Sequence, residues 1–131
     1  MTSKRIEHRV DRLSPPPGHF SDAVSFGGML FISGVVAIDA DGHLVGRDDV
    51  SQQAEQVFAN IGTVLSSVGA GYDNLLKVTV FLTSVDDRQV VDQIRRRMFG
   101  ESRPASTLIG VKELALPDIR IEVEAIAAMP T

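Results

Sequence analysis

The chain of 131 residues has no cysteine and no tryptophan, and it has a single tyrosine. Without a thiol there can be no disulfide, no thiolate metal ligand and no cysteine nucleophile. Aromatic side chains make up 5% of the residues, too few for the platforms that a paired-carboxylate sugar cleft requires. Positive charge is scarce as well: 13 Lys and Arg against 17 Asp and Glu leave a formal net charge of -4. Phosphate binding needs a concentrated basic surface, so no nucleic-acid partner is expected. No apolar run approaches the ~20 residues that span a bilayer, and the opening MTSKRIEHRV lacks the apolar core of a signal peptide. A cytoplasmic location with no membrane partner is the expectation. Neither a Gly-x-Ser-x-Gly elbow nor a glycine-rich phosphate loop occurs, which sets aside serine hydrolases and nucleotide-dependent enzymes. His8, His19 and His43 stand in separate segments whose spacing does not converge on an ion. Neither a metal nor a cofactor is predicted.

What is present is ordinary globular material. Hydrophobic residues are 44% of the chain and charged residues 23%, which predicts one folded domain over residues 1–131 that buries roughly two-thirds of its unfolded surface. Residues 6–10 suit a short first strand. Ser14-Pro15-Pro16-Pro17-Gly18 is a turn or polyproline stretch, because consecutive prolines fit neither a ladder nor a helix interior. Residues 23–26 and 29–36, joined by Gly27-Gly28, read as a β-hairpin. Asp39-Ala40-Asp41-Gly42 is a turn; its likeness to a calcium loop fails where the closing acidic ligand is missing. From Val50 onward Ala54, Val57, Phe58, Ile61, Val64, Leu65 and Val68 recur at helical spacing, with Asp48 or Asp49 as cap and Gly69 or Gly71 as stop. Residues 74–82 predict a central strand, and residues 86–99 a second helix with Val90 or Val91, Ile94 and Met98 turned inward. Successive helical positions point about 100° apart, so Arg95-Arg96-Arg97 predicts a solvated face with local ion pairs and not a flat basic patch.

Residues 102–127 hold two further β-segments separated by Leu116-Pro117-Asp118, with the last strand starting after Pro117. There Ile119, Ile121 and Val123 alternate with Arg120, Glu122 and Glu124, the period of a strand buried on one face. The element order predicts an α+β protein: a mixed β-sheet covered on one face by two helices, the other face solvated or met by another subunit. Glu122 and Glu124 share a strand face at about 7 Å, a spacing that would suit acid/base chemistry, although the residues alone favour two surface glutamates balanced by Lys77 or Arg120. Ser33-Gly34 inside a hairpin arm lets a group approach the backbone closely beside a hydroxyl, or marks a bulge with a surface serine.

These residues resemble the RidA/YjgF family, small trimeric proteins whose typical members hydrolyse reactive enamines and imines. The resemblance runs through the proline-glycine loop before Phe20, Ile32-Ser33-Gly34, Lys77-Val78-Thr79-Val80-Phe81, Pro104-Ala105 and the closing Ile121-Glu122-Val123-Glu124-Ala125. It implies a chorismate-mutase-like fold, a homotrimer, and a small-molecule metabolite held in clefts between subunits. Glu122 matches the glutamate that positions the attacking water and is the catalytic candidate. Phe20, Ser33, Gly34, Arg103 and Ser106 are the substrate-binding candidates, with Phe20 where many members have tyrosine. Asp92 falls near an amide-bearing helix position of some members. Ser106 stands where typical active members carry the arginine that grips the substrate carboxylate, and Arg103 lies on the other side of Pro104-Ala105.

A charged hydrogen bond contributes about 1.5–3 kcal/mol, and a serine offers one neutral donor in its place. Three functions follow from the resemblance. The preferred one is hydrolysis of a small imine or enamine with weak activity on 2-aminoacrylate. The others are a catalytically silent small-molecule binding module on the same trimer, and the endoribonuclease activity of some members, which the acidic balance disfavours.

Overall fold

The computed structural model describes residues 4–131. In chain order the elements are β1 (Ile6–His8), β2 (Ala23–Phe26), β3 (Met29–Val35), α1 (Val50–Ser67), β4 (Leu75–Leu82), α2 (Arg88–Phe99), β5 (Ala105–Gly110) and β6 (Ile121–Ala128). The strands form one sheet in the order β1-β2-β3-β6-β4-β5, antiparallel except for the parallel β4–β5 pair. β6 therefore lies inside the sheet, between β3 and β4, and carries its glutamates to the middle of the molecule's surface.

Local chemistry accounts for the boundaries. Gly27 and Gly28 both have positive φ, 61° and 83°, which gives the β2–β3 hairpin the two-residue primed turn whose twist matches its strands. Asp49 caps α1 by accepting from the Gln52 N–H at 3.2 Å. α2 begins at Arg88 after a single tight turn over Val85–Asp87. Its inward residue is Val91, 2% exposed, and not Val90, which is exposed.

Both helices cover one face. Val57, Phe58, Ile61 and Leu65 of α1 are buried against Leu30 and Ile32 of β3, Val78, Val80 and Leu82 of β4, and Ile121, Val123, Ala125 and Ala127 of β6. The period-two burial of β4 and β6 puts Lys77, Thr79, Phe81, Glu122 and Glu124 on the opposite face. Phe26 and Phe31 lie exposed on that open face, and β5 is exposed at every position.

β6 starts three residues later than the proline alone predicts, and Gln53 supplies the reason. Its side chain, fully buried in α1, donates to the carbonyls of Gly46 and Asp118 at 3.1 and 2.9 Å and accepts from the Arg120 N–H at 2.8 Å. Residues 118–120 thus give backbone groups to a side chain instead of a neighbouring strand. Arg120 Nη2 also donates to both carboxylate oxygens of Asp87, at 3.1 and 2.9 Å, which ties the start of β6 to the approach of α2. Replacing Gln53 by Leu fills similar space but strands three backbone groups. At about 1 kcal/mol or more for each buried unpaired group, Gln53→Leu is expected to cost about 3 kcal/mol in urea unfolding; a loss under about 1 kcal/mol would show that water reaches those groups.

Candidate functional site

The site grows out of an irregularity between β3 and β6. Ile32 pairs with Ala125, and Val35 with Val123, so β3 spends three steps where β6 spends two. The extra residue is a bulge at Ser33-Gly34, a feature that bends a strand and re-aims its neighbours. The Ser33 N–H donates to the Asp22 carbonyl at 3.1 Å and its hydroxyl to the Ser21 carbonyl at 2.6 Å, which holds the bulge against the approach of β2. Gly34 is then left bare beneath Glu122. A Cβ at position 34 would lie 2.0 Å from Glu122 Oε2, so only glycine admits the carboxylate there.

Glu122 occupies one wall of a cleft of about 750 Å³ that also contains Phe20, Ser33 and Gly34. The proline loop, Val35, Val64 and Leu116 give the cleft an apolar lining, and Phe20 is 51% exposed at its side. Partial burial in these surroundings holds the Glu122 carboxyl above the ordinary glutamate value, and the charge of Glu124 pushes it the same way. A carboxylate with raised proton affinity, in a concave site and beside a hydroxyl, is equipped to take a proton from water.

Four of the six sequence candidates thus meet in one cleft. Ser106 and Arg103 do not join them. Ser106 pairs with Val78 and so belongs to the helix-covered side of the sheet, whereas Glu122 pairs with Phe81 on the open side. Arg103 is exposed before β5 begins and makes no side-chain hydrogen bond or ion pair among the described residues. Asp92 accepts from Arg96 Nε at 2.7 Å.

The residue that reaches Ser106 is Arg95, whose Nη1 donates to the Ser106 hydroxyl at 2.9 Å. Arg96 and Arg97 form the expected surface ion pairs, with Asp92 and Glu55, each at 2.7 Å. Arg95 turns inward instead, its guanidinium 5.8 Å from the ring centroid of Phe99. The signal was available: Val91, Arg95 and Phe99 are spaced i, i+4, i+8, so the arginine lies on the buried stripe of α2. Elsewhere, Asp39, Asp41 and His43 place potential ligand atoms within 4.8 Å of one another. The Asp39 carboxylate accepts from the backbone N–H groups of Asp41 and His43, both at 3.0 Å, as a turn-forming side chain does.

A helix-backed mixed sheet with a glutamate lodged over a glycine bulge beside an apolar cleft defines a class of small α+β domains. Within that class the chain belongs to the RidA/YjgF family: the family model described as Endoribonuclease L-PSP matches residues 12–129. A RutC family protein of Synechocystis is 35% identical over 133 residues, covering 100% of both chains. The 2-iminobutanoate/2-iminopropanoate deaminase of Homo sapiens is 32% identical over 111 residues, 84% of this chain and 80% of its own. Among solved structures, RidA from an Antarctic Psychrobacter superposes with a TM-score of 0.85 at 29% identity, covering 92% of this chain and 96% of that one. No helix among the described residues is long and apolar enough to cross a membrane. Relatives named as chloroplastic, in Arabidopsis thaliana, and mitochondrial, in Schizosaccharomyces pombe, show that membership does not fix a compartment.

The raised carboxyl of Glu122 has a consequence for stability. Below the unfolded-state value, about 4.3, the group is protonated in both states and the fold is unaffected. As pH rises through the higher folded-state value, ionisation is harder in the folded protein and stability is lost. Glu122→Gln is therefore expected to raise the urea midpoint near pH 8 and to leave it unchanged near pH 4. An unchanged midpoint at both would mean that Glu122 is as well solvated folded as unfolded.

Proposed function

We propose that this protein hydrolyses a small reactive imine or enamine, with Glu122 as the catalytic carboxylate, in a cleft completed by a second copy of the chain in a cytoplasmic homotrimer. The observation that carries it is the Glu122 carboxylate seated on bare Gly34 inside an apolar cleft, with its proton affinity raised. Water attacks the imine carbon while Glu122 takes one of its protons; the C=N electron pair moves to nitrogen, which is protonated in turn. The C–N bond of the resulting carbinolamine then breaks, releasing ammonia and leaving a carbonyl compound. An enamine enters the same route after it gains a proton at carbon. Little else is required beyond orientation of water and substrate, for which the Ser33 hydroxyl and the Phe20 ring are the neighbouring groups. Deaminases among the relatives support this chemistry.

The homotrimer draws its support from the exposed β5 edge, the apolar Phe26 and Phe31 on the open face, and the opposed directions of Ser106 and Glu122. A second copy would bring one protomer's β5 to another's Glu122 cleft. Serine at position 106 makes turnover of 2-aminoacrylate weak in this proposal. It is also the one observation that favours the alternative, a binding module without turnover, which ligand binding in the absence of ammonia release would identify. Cleavage of RNA, the activity in the family model's description, is disfavoured by the formal net charge of -4.

Ammonia release from imines generated in situ by an amino-acid oxidase tests the activity. Glu122→Gln is expected to slow it by about a hundredfold or more, the usual loss of a general base, while Glu124→Gln stays within a few-fold of the parent. Comparable losses in both would assign the chemistry to the pair. Light scattering at micromolar concentration is expected to give three times the mass of one chain, and a monomer there would remove the shared cleft.

A further inference from the structure

Between β1 and β2 the chain leaves the sheet as a loop over residues 9–22, and its two ends meet at Asp22. Asp22 Oδ2 accepts from the Val10 N–H at 2.7 Å and from Arg9 Nη1 at 2.8 Å, while the Asp22 N–H donates to the His8 carbonyl at 3.1 Å. Arg9 reaches on into the loop, with Nη1 on the Val10 carbonyl and Nη2 on the Leu13 carbonyl at 2.9 Å. The Val10 carbonyl also accepts from the Leu13 N–H at 3.0 Å. Residues 10–13 are thereby clasped as one turn. The Asp22 side chain is 10% exposed and Val10 3%, so water competes little for the bond between them.

This neck joins two walls of the Glu122 cleft. Leu13, Ser14 and Pro15-Pro16-Pro17 line the cleft on the loop side. Proline fixes φ, so that wall follows where the clasp puts it. On the other side the Asp22 carbonyl accepts from the Ser33 N–H at 3.1 Å, at the bulge that leaves Gly34 bare beneath Glu122. Among the described residues that line the cleft, Asp22 and Glu122 are the two that carry charge, and the charge of Asp22 is matched by Arg9.

We propose that Asp22 is a positioning residue for the Glu122 site: its carboxylate, braced by Arg9, closes the neck of the loop and sets the apolar proline wall beside the glutamate. It acts through the loop and not on the reacting atoms. The wall keeps water from the carboxylate, a part of the burial that raises the proton affinity of Glu122. The effect on turnover rests on the proposed imine hydrolysis; the placement of the wall does not.

The test that needs no substrate is a carbon-13 NMR titration of the Glu122 carboxyl. Both bonds to Asp22 end on one oxygen, so Asp22→Asn keeps them with its carbonyl, whereas Asp22→Ala leaves the Val10 N–H without its acceptor. Asp22→Ala is expected to lower the Glu122 midpoint toward the ordinary glutamate value, and Asp22→Asn to leave it raised. A negative charge at position 22 would itself raise that midpoint. An equal fall in both variants therefore assigns the effect to charge and overturns the proposal, as does an unmoved midpoint in Asp22→Ala. Should Asp22→Ala not fold, Arg9→Ala decides. It removes the brace and leaves the carboxylate of Asp22 unmatched, so charge alone would raise the Glu122 midpoint while loss of the wall lowers it. A fall is expected, and an unmoved or raised midpoint overturns the proposal. Arg97→Gln, at the exposed pair with Glu55, is the control expected to change nothing.

In the ammonia assay Asp22→Ala is expected to raise KM about tenfold with kcat within about twofold, the signature of binding lost equally from ground and transition states. Asp22→Asn is expected to restore most of the difference. If the parent protein releases no ammonia, the hydrolase falls alone and the titration still decides the role of Asp22. Turnover with an unchanged KM in Asp22→Ala sinks the positioning role alone.

Discussion

The contact between the Glu122 carboxylate and the bare backbone of Gly34 constrains the structure around it. A side chain on residue 34 would occupy the carboxylate's place, and a regular β3 without the bulge would aim different groups at β6. The bulge in turn needs the β2–β3 hairpin in register, which the Gly27-Gly28 turn sets by allowing positive φ at two consecutive residues. On the other side, Gln53 decides where β6 begins, and with it which residues of the strand face the cleft. A one-residue slip there would turn Ile121 and Val123 outward and Glu122 into the core. Burial of those two residues against α1 opposes the slip.

The sheet separates two kinds of chemistry by its faces. Glu122 belongs to the open face and Ser106 to the helix-covered one, because their partners, Phe81 and Val78, are three residues apart on β4 and so project oppositely. The Glu122 carboxylate and the Arg95 guanidinium are thereby kept from neutralising each other within one protomer. Arg95 keeps its charge without an ion pair, while its neighbours Arg96 and Arg97 are paired at the surface. The difference follows from helix geometry alone: one residue's rotation separates the stripe facing Phe99 from the stripe facing water.

Most of the fold is legible in the sequence. The helical spacing from Val50, the alternation after Ile119 and the glycine pair at 27–28 each report a local periodicity or a backbone requirement, and each element lies where they indicate apart from the later start of β6. The Glu122 and Gly34 candidates were readable only as possibilities, through resemblance and through the oddity of a glycine in a strand. Their meeting depends on β3 and β6 becoming neighbours across about ninety residues of sequence. No local pattern encodes that pairing.

What the sequence by itself determined is the secondary structure and the buried stripes, which depend on side-chain period, glycine and proline, and, through the resemblance of its motifs, membership of the family. What only the tertiary structure decided is the start of β6, the seating of Glu122, and the partner of Ser106. A three-residue offset between Pro117 and Ile121 comes from a buried glutamine in a distant helix. The partner of Ser106 is Arg95 and not Arg103, because the packing of α2 against the sheet brings the former inward and leaves the latter in solvent before the strand begins.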